Sequence, residues 1–222
     1  MTQEQKTVFE TIWETREETI YPSLFGDKYR GTFVLTADVV TRVFGLASFD
    51  PRWLHYGVIE FEPTADRNSR LYVTSGASNP WEADPADYAL SEYSGSGTEL
   101  VLEVPQQSKW AIVTLQRLLA FNILLVHGRY GEVQPLDYDN RVPLRGPIDF
   151  EASALAYVVL AAPEHYAASF KLLSGKVDFL HVVGITLSER DYAQAHDSER
   201  LIALLKSAMA FPVTDAAREP VV

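Results

Sequence analysis

Apolar positions along the chain change period several times, and each change marks an element. Val8, Phe9, Ile12 and Trp13 fall on one helical face behind the capping-box spacing Thr2-Gln3-Glu4-Gln5, which predicts a first helix over about residues 3–19, ended by Pro22. Four segments of alternating character follow: TFVLTADVV, WLHYGVIEF, RLYVTS and TELVLEV. They are separated by FDPR, PTADRNS and a long turn-rich stretch from Gly76 to Gly97, and they predict antiparallel strands.

From Ser108 the period becomes helical. Trp110, Val113, Leu115, Leu118, Leu119, Asn122 and Val126 form a wide apolar stripe that predicts a long helix ending near His127-Gly128. A loop rich in Gly, Pro and Asp leads to alternating ALAYVVLA, and then to FKLLSGKVDFLHVVGIT, where Ser174-Gly175 splits two apolar runs as a hairpin turn would. After that turn Val177, Phe179, Val183 and Ile185 lie on one side of the strand and Leu180 and Val182 on the other, which predicts a central strand covered on both faces. A capping signature at Ser188-Glu189-Arg190-Asp191 opens a helix, and SERLIALLKSAMA repeats the pattern to about Ala210. With no linker, repeat or low-complexity tract, the expectation is one α+β domain over residues 1–222, a mixed, mainly antiparallel sheet flanked by helices.

Composition narrows the classes. The chain of 222 residues is 47% apolar, enough to bury a substantial core, and contains no cysteine, which excludes disulfides, zinc-thiolate sites and a cysteine nucleophile. Its start is polar and lacks a signal-peptide layout, and ALAYVVLAA and ILLV fall well short of a bilayer span, so a cytoplasmic location with no membrane contact is expected. The net charge of −11 disfavours nucleic acid as a partner. Between Glu60 and Val104 nine acids face only Arg67 and Arg70. Such a run reads either as a solvated acidic face or as a docking surface for a basic partner.

Candidate chemistry is sparse. His55, His127, His165, His181 and His196 include no pair three to five residues apart, so no local metal site and no metal or other cofactor is expected. YSGSGTEL enters a strand rather than a helix and lacks a following Lys, unlike a phosphate cradle. Asp137 and Asp139 suit a turn between Pro135 and Pro143, and with His127 they are the residues a metal-dependent or hydrolytic enzyme would use. His181, in the middle of an apolar strand, reads as a structural imidazole satisfied by neighbouring groups.

Several of these segments share a pattern. YSGSGTELVLEV resembles the Gly-x-Gly-x-Glu-Leu strand entry of the suppressor of fused domain, KWAIVTLQRLLAFNIL resembles the Trp-headed helix after it, and VDFLHVVGITLSERDYAQ resembles the family's Phe-Leu-Gln-x-Val-Gly strand and next helix. LYVTSGASN is similar to the Tyr-x-x-x-Gly-x-Ser segment and VTDAAR to the closing Thr-Asp-x-x-Arg. The core of the resemblance covers about residues 30–218, beyond an N-terminal helix within 1–20. His181 stands where the family usually has Gln, Ser96 and Thr98 where aromatics are common, and His196-Asp197-Ser198 replaces a Trp-Asn-Gly turn.

The resemblance implies a non-enzymatic protein-binding module of the short, single-domain bacterial type, many of which are thought to be immunity proteins of toxin systems. The expectations are therefore an immunity protein covering a toxin domain, a regulatory adaptor that sequesters a peptide by strand addition, or the small enzyme named above. The predicted partner surface is Trp81, Glu82, Asp84, Asp87, Tyr88, Glu92 and Tyr93, aromatic anchors set among acids in a loop too long for a hairpin link.

Overall fold

The computed structural model describes residues 3–81, 83–90 and 92–222. The chain builds an eight-stranded sheet from β1 (Tyr29–Val34), β2 (Gly57–Phe61), β3 (Arg70–Ser75), β4 (Tyr93–Val104), β5 (Arg141–Pro143), β6 (Tyr157–Ala161), β7 (Ser169–Leu172) and β8 (Gly175–Ile185). The order is β1-β2-β3-β4-β8-β6-β5, with β7 also paired to β8. All pairings are antiparallel except β4 with β8, which run parallel at the centre. The expected α+β class with a mixed, mainly antiparallel sheet is the class observed.

Helices cover both faces. Helix α1 (Gln3–Glu14), a π-helical segment (Thr15–Ile20) and α2 (Tyr21–Phe25) open the chain; α3 (Lys109–Val126) follows β4, and α4 (Leu187–Ala195) and α5 (Ser198–Ser207) follow β8. Alternation along β8 explains the layering. Leu180 and Val182 face α3 through Leu115 and Leu118. On the other face Phe179 meets Tyr21 and Phe25, and Val183 and Ile185 meet Leu201 and Leu205 of α5. The strand read as central and covered is therefore packed from both sides by different helices. By length and composition α3 could cross a membrane, but 67% of it is buried in the protein.

The sequence pattern and the fold part in three places. Pro22 does not end the first helix; it follows the π-helical segment as the second residue of α2, and the helical path continues to Phe25. The alternating segments TFVLTADVV and WLHYGVIEF are each only half strand, since Val39–Val43 coils into a π turn and Pro51–His55 into a 3-10 turn capped by Asp50. Helix α4 starts at Leu187, one residue before Ser188, because Thr186 as N-cap and Glu189 close a reciprocal capping box.

The acidic run between Glu60 and Val104 is not one solvated face. Glu60, Glu99 and Glu103 are fully buried. Glu60 takes ion pairs from Arg30 and Arg70, Glu103 accepts from Ser69, and Glu99 organises the loop described next. Strand periodicity places all three inward, and a buried carboxylate persists only when such donors surround it.

Candidate partner-binding surface

The loop from Gly76 to Tyr93 stands on a buried polar frame. Glu99 of β4 accepts from the Gly76 and Ser78 amides at 3.1 and 2.9 Å, from the Ser78 hydroxyl at 2.6 Å and from the Thr74 hydroxyl at 2.5 Å. Arg16, wholly buried in the π segment, donates to Asn79 Oδ1 at 2.6 Å and to the Ser78 hydroxyl at 3.0 Å, and pairs with Glu17. One end of the loop is thus tied to the N-terminal helix and to the sheet together. Tyr21 donates to the Thr74 carbonyl at 2.8 Å, and burial, then the Glu99 charge, push its phenol well above the ordinary value.

The other end is fixed by backbone. Ser96 N–H donates to the Ala77 carbonyl and Lys176 N–H to the Glu92 carbonyl, at 2.9 and 3.0 Å. Gly95, at φ 56°, lies so close that an added Cβ would stand 2.6 Å from the Ala77 carbonyl, so no other residue fits without moving the loop. Between these ends Pro85–Leu90 forms a 3-10 turn whose start is capped by the Asp84 carboxylate on the Ala86 amide.

The predicted partner residues divide. Tyr93 is 45% exposed, with Lys176 over its ring, and Asp84, Asp87 and Glu92 are at the surface. Trp81 is half-buried: its ring lies 4.3 Å from Phe9 of α1 and under Arg52, and its indole is directed to the Tyr56 side chain. Tyr88 is turned inward to Ile12, Leu172 and Val177, because the 3-10 turn directs it beneath the loop, so its ring is not available as a surface anchor. Glu82 lies outside the described residues.

Trp81 and Tyr93 line an open cavity of about 210 Å³, floored by Trp53, Tyr56 and Ile123 and edged by Asn79, Asn122 and His127. Burial, then Glu99, raise the Tyr56 phenol above its ordinary value, so it stays a neutral donor. At the rim Arg52 holds the Asp50 carboxyl below the usual carboxylate range. The arrangement is an apolar aromatic hollow with amide and hydroxyl edges and a nearby acidic loop, suited to seating a side chain of another protein.

The groups considered for catalysis do not assemble. His127 packs at a tilt against Trp53 at the end of α3. Asp137 accepts from the Tyr138 amide, and Asp139 adopts a left-handed turn conformation at φ 65° whose carbonyl accepts from Ser198. Among the described residues no three His, Asp or Glu side chains are grouped to hold a metal ion. His181 is fully buried, donating from Nε2 to the Pro212 carbonyl at 2.8 Å and accepting at Nδ1 from Tyr166 at 2.9 Å, a neutral imidazole whose pKa burial lowers.

The frame residue that sequence reasoning missed is Arg16. The signal was present, since Ile12, Arg16 and Ile20 are spaced by four and share the face that the stripe of Val8, Phe9 and Ile12 turns inward.

Comparison with known proteins shows the family and the fold. The family model "Suppressor of fused protein (SUFU)" matches residues 52–219. The chain belongs to the suppressor of fused family. The matched region holds the whole loop and its Glu99 support but not Arg16, so the N-terminal half of the frame lies outside the family model. Solved structures of similar fold include the Sufu–Fu complex (18% identity, TM-score 0.66, covering 96% of this chain and 92% of that one). A SUFU homologue from Neisseria gonorrhoeae is similar at 16% identity and a TM-score of 0.59, with 100% and 98% covered. Drosophila Suppressor of Fused gives 17% and 0.59, with 75% of this chain matching 42% of that one. No curated protein matches.

Proposed function

We propose that this suppressor of fused member is a cytoplasmic bacterial protein-binding module without catalytic activity, an immunity protein that neutralises a toxin domain by covering it. The observation that carries the reading is the rigidly framed hollow at Trp81 and Tyr93 beside exposed Asp84, Asp87 and Glu92. A surface held by buried ionic groups is pre-organised, and acids at its rim speed encounter with a basic partner. A relative of the same fold was solved as a complex, Sufu with Fu, which supports a binding role.

Strand addition is the less favoured mode. The edge strand β1 is bent by a bulge between Arg30 and Thr32, and the opposite edge β5 has three residues, one of them Pro143. Bulges, charges and prolines are the features by which sheet edges resist added strands. The test is affinity capture from lysate of the source cell, with the parent and a Tyr93→Ala, Asp84→Lys variant as baits. The parent should retain a folded, basic protein that the variant releases; equal capture by both baits would contradict the reading.

A further inference from the structure

A second cavity, of about 230 Å³, opens along α3 between Thr114 and Phe121 and shares no lining residue with the hollow at Trp81. Phe44, Leu118, Phe121, Tyr130 and Ile148 make it apolar, and no acid lines it. It does contain two arginines. Arg117 and Arg145 have neither an ion-pair nor a hydrogen-bond partner among the described residues, and Arg117 Nε is buried and unbonded. In a chain with 30 acids against 19 bases, two unpaired guanidiniums at one apolar cavity stand against the charge balance of the molecule. Elsewhere in the fold Arg16, Arg70 and Arg218 are each met by a carboxylate, and the half-buried Arg67 by the carbonyls of Phe25, Glu62 and Ser69.

The loop that carries Arg145 is held in an unusual shape. Arg145 and Phe150 both adopt left-handed backbone conformations, at φ 62° and 63°, and Phe150, 44% exposed, lies 4.5 Å from the Arg117 guanidinium. Non-glycine residues occupy that region rarely, and clusters of them mark sites where local strain serves binding. The result is an aromatic flap over a cation, at the mouth of an apolar space. Its volume is below the roughly 300 Å³ at which pockets for drug-sized ligands begin, so the occupant is small.

We propose that this cavity binds a small carboxylic acid with an aromatic or branched apolar body, the body between Leu118, Phe121 and Tyr130 and the carboxylate on Arg117 and Arg145. Planar guanidinium matches planar carboxylate with two parallel hydrogen bonds. A phosphate dianion would bring a heavier desolvation cost into walls this apolar, which favours the singly charged acid.

The test titrates the full chain with 3-phenylpropionate and, separately, with 3-phenylpropionamide and phenyl phosphate, followed by calorimetry and by tyrosine-ring chemical shifts. The acid should bind one site saturably, and the amide about tenfold or more weakly, the loss expected when a charge-assisted hydrogen bond becomes a neutral one. Arg145→Met, at an exposed position that leaves the fold intact, should weaken the acid by about tenfold. Arg117→Met should do the same, and Tyr93→Ala should leave acid binding unchanged. Equal affinity for acid and amide, failure of the acid to saturate, or tighter binding of phenyl phosphate would each overturn the proposal.

Discussion

Replacing Glu99 with Ala strikes the frame beneath the loop at its centre. The carboxylate accepts four hydrogen bonds, two from the hydroxyls of Thr74 and Ser78 and two from the backbone amides of Gly76 and Ser78. The hydroxyls can rotate to other acceptors, but the amides cannot move without opening the turn. Leaving a buried donor unpaired costs about 1–3 kcal/mol each, so the two amides account for about 2–6 kcal/mol, and water entering the vacated space offsets part of that. Arg16 then loses the negative group that it reaches through Ser78. The net expectation is a loss of about 3–5 kcal/mol, a large share of the roughly 5–15 kcal/mol that holds a domain together. At roughly 2–4 °C per kcal/mol for a chain of this size, the melting temperature should fall by about 10 °C. Glu99→Gln keeps a carbonyl for the two amides and should cost about 1–2 kcal/mol. Urea unfolding followed by tryptophan fluorescence measures both, with an unchanged m-value showing that the transition is the same. The reasoning fails if the Ala variant loses less than about 1 kcal/mol, or if Gln is as damaging as Ala.

Three further outcomes follow from the buried groups. His181→Gln should cost little, because an amide can still donate to the Pro212 carbonyl, whereas His181→Ala leaves that acceptor and Tyr166 unpaired at about 1–3 kcal/mol; equal melting curves would contradict this. Since burial holds the folded imidazole below its ordinary value of 6.5, the unfolded chain takes up the proton first as pH falls, so stability should decline below about pH 6.5 in the parent, and the decline should be smaller in His181→Gln. Burial raises the Glu189 carboxyl, but hydrogen bonds from Arg218 and from the Thr186 and Val221 amides outweigh it and leave the pKa below 4.5. Its stabilisation is therefore complete above that value and lost as pH falls through the lower folded one. Arg218→Met should flatten that acid limb in a pH series of urea midpoints.

Periodicity carried much of the fold. The long helix from Ser108 and the two-faced strand β8 were legible because each has a period that only one element satisfies, and the hairpin turn expected at Ser174-Gly175 lies one residue earlier, at Leu173-Ser174, with Gly175 opening β8. The π and 3-10 turns within TFVLTADVV and WLHYGVIEF were not, since a short coil and a short strand share the same few apolar residues and tertiary packing decides between them. At the candidate surface, the aromatic and acidic character of the loop was readable, but not which rings face out. Tyr88 goes inward only because the Asp84-capped turn and the face of Ile12 and Val177 meet beneath it, a contact across the whole chain. The buried acids were hidden for the same reason: charge summed along a strand takes no account of which alternate residues point inward.

The central claim is that a protein partner docks on the loop between Gly76 and Gly97. Hydrogen–deuterium exchange of this chain, alone and saturated with the captured partner, tests it most directly. Slowed exchange in residues 76–97 and in α1 beneath Trp81, with β1 unchanged, is the predicted footprint. Protection confined to the edge strand Tyr29–Val34, with the loop exchanging as in the free protein, would contradict the account and place the partner on the sheet edge.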